Sequence, residues 1–351
     1  MSLVYLSDKD LIDSWDGNIE HLLNLVSDAF ISWRNDEVIL PGKSSQIIDP
    51  TNQSRVNCMP CTMPKNGFSG VKLVSVFPDN PLYGLPNVSG AILLLDATNG
   101  APVAVMGAEF ITSLRTALVG ALAARHLAPH EPREIALVGS GEQAFMHLVV
   151  LASLFPSLKS CRVASRTSES ERRFVGRVCD HIPSLHVDAC SSNYEAAVCG
   201  ADIVVTALSS QVPILKAPWI KEGSLYIHVG GIEDEYGVAQ KANKIVCDSW
   251  EALKHRGSPT ISHMYSDGLL ADEDIYAELA EIIAGEKPGR ESDSEFIYFN
   301  SIGLAFTDIC VAAALYRQSE ACGRGVTLEE GRGSLFDNEG FAAYMQAIRS
   351  N

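Results

Sequence analysis

The stretch that most constrains this chain is Glu134-Ile-Ala-Leu-Val-Gly-Ser-Gly-Glu-Gln-Ala-Phe-Met-His147. Residues 135–138 are a short apolar run of the kind that forms a buried parallel strand. The run stops at Gly139-Ser140-Gly141, and a helix-compatible segment, residues 143–154, follows. Strand, glycine turn and helix in this order make the G-x-G-x-x-A form of a dinucleotide-binding unit, with Ala144 in the last place. Gly139 would make the tight turn. Gly141, without a Cβ, would let the backbone approach a pyrophosphate, and Ala144 would let the helix pack against the strand. The pyrophosphate would rest on free N–H groups at the helix N-terminus. A plain βα turn has the same outline, so context must decide.

That context is a repeating βα pattern from Arg133 onward. Strands are expected at 135–138, 161–164, 186–188, 203–207, 225–229 and 244–247, with helical segments between several of them, including 169–181 and 193–199. Such alternation predicts an α/β fold with a doubly wound parallel sheet of Rossmann type, covered on both faces. In such a unit an Asp or Glu at the end of the second strand binds the ribose 2′-hydroxyl of NAD. Here the chain reads Val163-Ala-Ser-Arg-Thr167, with Ser165 in the acid's place and Arg166 next. A cation flanked by the hydroxyls of Ser165 and Thr167 suits a 2′-phosphate, which favours NADP(H). NAD(H) stays possible, since Arg166 could stack on adenine instead. Thr206-Ala207-Leu208 and Val229-Gly230-Gly231 end strands on the edge where a ligand would bind; ordinary strand-terminal loops look the same.

Upstream, residues 11–34 carry an amphipathic helical pattern, and the polar stretch 41–54 contains an isolated cation, Lys43. Strand-like segments follow at 55–59, 69–77, 88–95 and 102–105, separated by turn-rich pieces, which predicts a mostly antiparallel region. Lys72 lies in a strand whose other members are Val71, Leu73, Val74, Val76 and Phe77. A buried Lys there has a lowered pKa suited to proton transfer or Schiff-base chemistry. A snorkelling surface lysine is the other reading. Residues 109–127 form a long helix rich in small residues, with Pro129 as a stop. Arg115, beside Thr116, sits in its first turns, where it could clamp a carboxylate or pair with Glu109 or another acid.

Beyond Asp248 the chain is again helical and more polar, with a helix at 277–283 and a strand at 295–299. A final long helix, about 304–322, holds Asp308 among apolar residues, and 329–351 reads as a loosely attached tail. The expected division is a first domain of residues 1–128, to which 305–351 return, and a nucleotide-binding domain of residues 129–304.

The formal charge of −16 disfavours nucleic acid as a general partner, because neutralising phosphates requires clustered Lys and Arg. No apolar run is long enough to span a membrane, and the first ten residues lack the order of a signal peptide. A cytoplasmic protein is the simplest expectation. The nine scattered cysteines do not suggest a disulfide framework. Cys58-Met-Pro-Cys61 has no second C-x-x-C or nearby His to complete a metal site, so small strand residues are the preferred reading and no metal is expected.

Four segments together resemble the ornithine cyclodeaminase/μ-crystallin family over residues 5–328. They are Lys72-Leu-Val-Ser-Val-Phe-Pro-Asp-Asn80, Ile111-Thr-Ser-Leu-Arg-Thr-Ala117, the Gly139–Ala144 turn, and the set Ala277-Glu-Leu, Gly289-Arg and Asn300-Ser-Ile-Gly. The resemblance implies a homodimer with an α+β substrate-binding and dimerisation domain, a Rossmann domain for NAD(P), and a last helix that returns to the first domain. It also implies roles. Lys72 matches the active-site lysine, Arg115 the carboxylate clamp and Lys43 a second substrate cation. Thr116, Ser301 and the glycine turn, with Gln143, match cofactor-contacting positions.

One departure matters. Cyclodeaminases and related alanine dehydrogenases carry an Asp after the small pair that follows the fifth strand, where this chain has Ile232 and then Glu233-Asp-Glu. Ile232 cannot relay a proton, and Glu233 is the nearest substitute as a substrate contact. The resemblance thus implies an NAD(P)-dependent oxidoreductase acting at the C–N bond of an amino or imino acid, of ketimine reductase or amino-acid dehydrogenase type. The branch that makes 2,3-diaminopropionate is similar over residues 248–300. Redox-neutral conversion of ornithine to proline and ammonia, and non-catalytic binding of NADP(H) with a small ligand, are the alternatives.

Overall fold

The computed structural model describes residues 2–208, 210, 212–329 and 345–348. Most of the expected tail therefore lies outside the described residues. In chain order the strands are β1 (Ser2–Leu6), β2 (Ser44–Asp49), β3 (Ser54–Met63), β4 (Phe68–Val76), β5 (Val88–Asp96), β6 (Pro102–Gly107), β7 (Glu134–Val138), β8 (Ser160–Ala164), β9 (His186–Ala189), β10 (Ile203–Thr206), β11 (Leu225–His228), β12 (Lys244–Cys247), β13 (Ala277–Glu278), β14 (Ile297–Asn300) and β15 (Val326–Glu329). The helices are α1 (Asp8–Ser14), α2 (Ile19–Arg34), α3 (Glu109–Leu127), α4 (Glu142–Leu154), α5 (Ser168–His181), α6 (Tyr194–Val198), α7 (Tyr236–Lys241), α8 (Trp250–Lys254), α9 (Thr260–Ser266), α10 (Leu279–Ile283) and α11 (Ala305–Ala321).

The βα half folds into an eight-stranded sheet in the order β13-β12-β14-β11-β10-β7-β8-β9, parallel throughout. The doubly wound expectation holds. β10, β11, β12 and β14 are buried at every position, as a sheet covered on both faces requires. The chain leaves β7 toward β8 and β9 on one side and returns to β10 on the other. The switch in strand order therefore falls between β7 and β10, the crevice where such sheets bind ligands. In register, Val138, Thr206, His228 and Asn300 end four adjacent strands at one level.

The other sheet has seven strands in the order β15-β1-β6-β5-β4-β3-β2. Pairs from β2 to β6 are antiparallel, whereas β1 joins β6 in parallel. Register sets Arg55, Asn57 and Met59 of β3 on one face with Lys72, Val74 and Val76 of β4, because side chains alternate along a strand. α11 lies on this face. A methyl added at Gly70 would meet Ile309 Cδ1 at 2.8 Å and Leu93 O at 2.6 Å, so only glycine lets helix and strand approach this closely.

Several local expectations needed correction. The pattern at 11–34 is two helices, because Gly17 turns the chain at φ +74° and Asn18 then caps α2 by accepting from His21 N–H. The polar stretch 41–54 contains β2, which pairs along the edge of β3 despite its lack of apolar alternation. Ala277–Glu278 pair with β12 before the chain turns helical. β1 gave no sequence signal.

Phe306 in the first turn of α11 is fully buried, with its ring 5.0 Å from that of Phe30 and 5.5 Å from that of Trp33. These contacts anchor α11 against α2. Phe306→Ala should lower unfolding stability by about 3–5 kcal/mol in chemical denaturation; a loss under 1 kcal/mol, by the same principle, would mean the helix is held otherwise.

Candidate active site

The C-terminal edge of the parallel sheet faces the inner surface of the antiparallel one, and a cavity lies between them. Arg55, Asn57, Lys72 and Val76 line it from the antiparallel sheet; Thr112, Arg115 and Thr116 from α3; Gln143 from α4; Val229, Arg256 and Ser301–Gly303 from the edge of the parallel sheet. Lys43 closes one wall and also borders a neighbouring pocket with Leu40, Met59 and His255. Residues far apart in sequence converge here because α3 leads directly from one sheet to the other.

Lys72 is fully buried, and its Nζ donates to Asp308 Oδ1 at 2.7 Å. Arg115 Nε stands 2.9 Å from the same oxygen, without the alignment of a hydrogen bond. Asp308, the buried acid of α11, thus serves both cations, and its Oδ2 has no hydrogen-bond partner. Desolvation lowers the Lys72 pKa to about 8, with the Arg115 charge adding to that effect and Asp308 opposing it. The buried reading of Lys72 is the one realised, and Arg115 pairs with Asp308 rather than Glu109. Thr112 Oγ1 is a further buried polar atom at the cavity without a partner. Orphaned polar atoms in a cavity wall are what a bound ligand would satisfy.

A methyl at Gly303 would meet Arg115 Nη1 at 2.2 Å, so the guanidinium packs against bare backbone. That backbone is held by Asp248, whose carboxylate accepts from Ser301 Oγ and from the N–H groups of Ile302 and Gly303, each at 2.9 Å. Arg256 donates to Ile302 O at 2.8 Å on the same loop. Lys43 is exposed by area yet crowded by the walls, and desolvation followed by the charges of Arg256, Arg55, Lys72 and Arg115 lowers its pKa.

At the glycine turn, Gly139 has φ +119°, and a Cβ there would strike Ala207 O at 2.5 Å. Gly141 caps α4 with no side-chain acceptor, and a Cβ on it would meet nothing. The first N–H groups of a thirteen-residue helix therefore open onto free space, which fits a pyrophosphate. Ser140 sits partly exposed in the turn. Gln143 donates to Ser113 O at 3.0 Å and ties α4 to α3. Thr116 Oγ1 donates to Thr112 O at 2.7 Å within its helix while its side chain borders the cavity. At the end of β8, Ser165 is buried and its N–H donates to Glu171, Thr167 caps α5, and Arg166 is exposed.

Glu233 requires a correction. It is fully buried, and its carboxylate accepts from Thr206 Oγ1 at 2.6 Å, Leu208 N–H at 2.6 Å and Gly230 N–H at 2.9 Å. These donors absorb its acceptor capacity and staple the loops after β10 and β11 together. It braces Leu208 and Gly230, and it is not among the residues lining the cavity. Arg55, Arg256, Asp248 and Asp308 were not assigned roles from the sequence. Asp308 had a visible signal, an acid in an apolar helix, whereas Arg55 opens an expected strand, Asp248 follows one and Arg256 lies in a polar turn, places where a charged residue is ordinary. Cys58 and Cys61 point to opposite faces of β3 as free thiols, and no His/Cys/Asp/Glu group suited to a metal occurs among the described residues.

The chain is similar in sequence and fold to known proteins. The N-((2S)-2-amino-2-carboxyethyl)-L-glutamate dehydrogenase of Staphylococcus aureus is 28% identical over 93% of this chain and 98% of its own. Thermococcus litoralis Δ1-pyrroline-2-carboxylate reductase, solved with NADH and L-proline, superposes with a TM-score of 0.86 at 28% identity, over 92% of this chain and 99% of that one. An archaeal alanine dehydrogenase dimer with bound NAD gives a TM-score of 0.85 at 29% identity, over 94% and 99%. Residues 15–322 match the ornithine cyclodeaminase/mu-crystallin family, and the chain belongs to that family.

Proposed function

We propose that this protein is an NAD(P)-dependent oxidoreductase acting at the C–N bond of an amino or imino acid, in the manner of a ketimine reductase or amino-acid dehydrogenase. The observation that carries the reading is a buried lysine of lowered pKa, sharing one buried acid with an arginine, in a cleft beside an open glycine turn. Gly139, Ser140 and Gly141 with the α4 N-terminus would hold the pyrophosphate, and Thr116, Gln143, Ala207, Leu208, Val229, Gly230 and Ser301 would border the rest of the dinucleotide; Thr206, expected there from the sequence, is fully buried with its hydroxyl on Glu233 and braces that edge from behind. Bound there, the cofactor supplies or accepts the hydride.

Arg115, with Lys43, fixes the substrate carboxylate in two-point fashion, which orients the adjacent carbon. Lys72 exchanges a proton with the reacting nitrogen, and Asp308 sets both its position and its basicity. Ile232 in place of an acid speaks against loss of ammonia from ornithine, because no side chain there can carry the proton. Residues 1–128 with α11 form the substrate half and residues 129–304 the nucleotide half. The outer face of the antiparallel sheet, with Leu73 49% exposed beside Val71 and Ala91, is the surface by which two copies would form a dimer like that of the archaeal alanine dehydrogenase.

A screen of cyclic imines, and of 2-oxo acids with amines, should produce cofactor oxidation. Lys72→Ala should cost about 10²–10⁴-fold in kcat. In the amine-oxidising direction Lys72 must be neutral to accept a proton, so kcat/KM should rise with pH through about 8. Imine reduction needs the ammonium form and should fall over the same range. A flat profile in both directions would remove Lys72 from proton transfer.

For cofactor choice, Arg166, Ser165 and Thr167 support NADP(H), because an exposed Arg just before α5 is the residue type that suits a 2′-phosphate. Arg166→Ala should reduce NADPH preference over NADH by about tenfold, the scale of one charge-assisted contact. Equal use of both cofactors by the unaltered protein would contradict this assignment.

A further inference from the structure

The cavity holds more positive charge than one amino acid needs. Five cations line it, Lys43, Arg55, Lys72, Arg115 and Arg256. Two of them, Lys72 and Arg115, share Asp308. Among the described residues no carboxylate lies within ion-pairing distance of Lys43, Arg55 or Arg256. Asp248 is the acid nearest in influence to Arg256, but its oxygens are occupied by Ser301, Ile302 and Gly303. Arg55 is held by a bond to a backbone carbonyl, Gln53 O at 2.9 Å, and Arg256 by Ile302 O. Neither bond neutralises a charge. Both guanidinium groups are partly desolvated, which is unfavourable unless an anion joins them.

The placement separates the cations into two groups. Lys72 and Arg115 stand at the Asp308 end, where the reacting nitrogen and its neighbouring carboxylate would lie. Arg55 enters from β3 and Arg256 from the turn after α8, both bordering the same space from other sides, while Lys43, before β2, joins Arg115 on the first carboxylate. A monocarboxylate such as proline or alanine satisfies the first group and leaves the second unmatched.

We propose that the substrate is a polycarboxylic amino or imino acid, with at least one carboxylate beyond that on the reacting carbon, and that Arg55 and Arg256 bind the distal carboxylate. This rests on the cavity being the substrate site of a C–N oxidoreductase. In the oxidising direction the C–H bond gives its hydride to the dinucleotide and the nitrogen gives its proton to Lys72. The distal carboxylates take no part in this balance and act only in recognition.

The test uses the full-length protein with NAD+ or NADP+ and three secondary amino acids of rising carboxylate number: L-proline, N-(carboxymethyl)-L-alanine and N-((2S)-2-amino-2-carboxyethyl)-L-glutamate. Turnover is followed by cofactor absorbance and binding by calorimetry on the protein–cofactor complex. We expect kcat/KM to rise by about tenfold or more with the added carboxylates, the scale of a charge-assisted pair. Arg256→Gln and Arg55→Gln should each raise KM for the tricarboxylate by about tenfold more than for proline, with kcat changed less, and Arg256→Lys should recover part of the loss. Two altered positions on different elements guard against misfolding of either one. Proline turned over as well as the tricarboxylate would overturn the proposal and leave the oxidoreductase reading intact. Tight, Arg-dependent binding of the tricarboxylate without turnover would uphold Arg55 and Arg256 as a carboxylate site and sink the oxidoreductase reading. A rise in the cofactor's Kd, with KM for the amino acids unmoved in both variants, would reassign the two arginines to the dinucleotide and overturn the proposal.

Discussion

The contact on which the rest depends is the one between Lys72 Nζ and Asp308 Oδ1, 2.7 Å apart and wholly out of water. Burying either charge alone would be prohibitive, and removing one partner of such a pair typically costs about 3–5 kcal/mol. The pair therefore fixes the position of α11 on β4, and with it the Arg115 guanidinium that reaches the same oxygen. A hydrophobic pair of similar volume would hold the helix as well or better. The ions make sense as chemistry retained at some cost to stability.

From that contact the site builds outward through backbone. Gly70 lets α11 lie close on the sheet, and Gly303 lets Arg115 lie close on the loop that follows β14. Asp248 and Glu233 each spend a buried carboxylate on loop N–H groups, the first behind Ser301–Gly303 and the second behind Leu208 and Gly230. Two buried acids thereby set the rim of the crevice without facing it. Such bracing holds reacting groups in position before a ligand arrives.

Much of this was legible in the chain. The doubly wound sheet followed from the apolar runs and the turn at Gly139, since period and punctuation are local signals. Lys72 stood out because a cation in an apolar strand has few bland explanations, and Asp308 stood out for the same reason without revealing its partner. Pairing between residues 236 positions apart leaves no local trace. Arg55 and Arg256 were illegible because a cation at the start of a strand or in a polar turn is ordinary, and each acquires meaning only when three elements meet. Glu233 was misplaced on sequence because its position beside Ile232 suggested a substrate contact, whereas the bend of the loop turns it inward onto three donors. β2 was missed because an edge strand held by ladder bonds need not alternate.

The central claim is that burial and Asp308 together poise Lys72 for proton exchange near neutral pH. The direct measurement is an NMR titration of the Lys72 side-chain nitrogen, in the unaltered protein and in Asp308→Asn. The account predicts a pKa near 8 in the first. In the second it predicts a lower value, because removing the carboxylate deletes the contribution that favours the ammonium form. A pKa at the ordinary lysine value of about 10.4, or one that Asp308→Asn fails to lower, would contradict it.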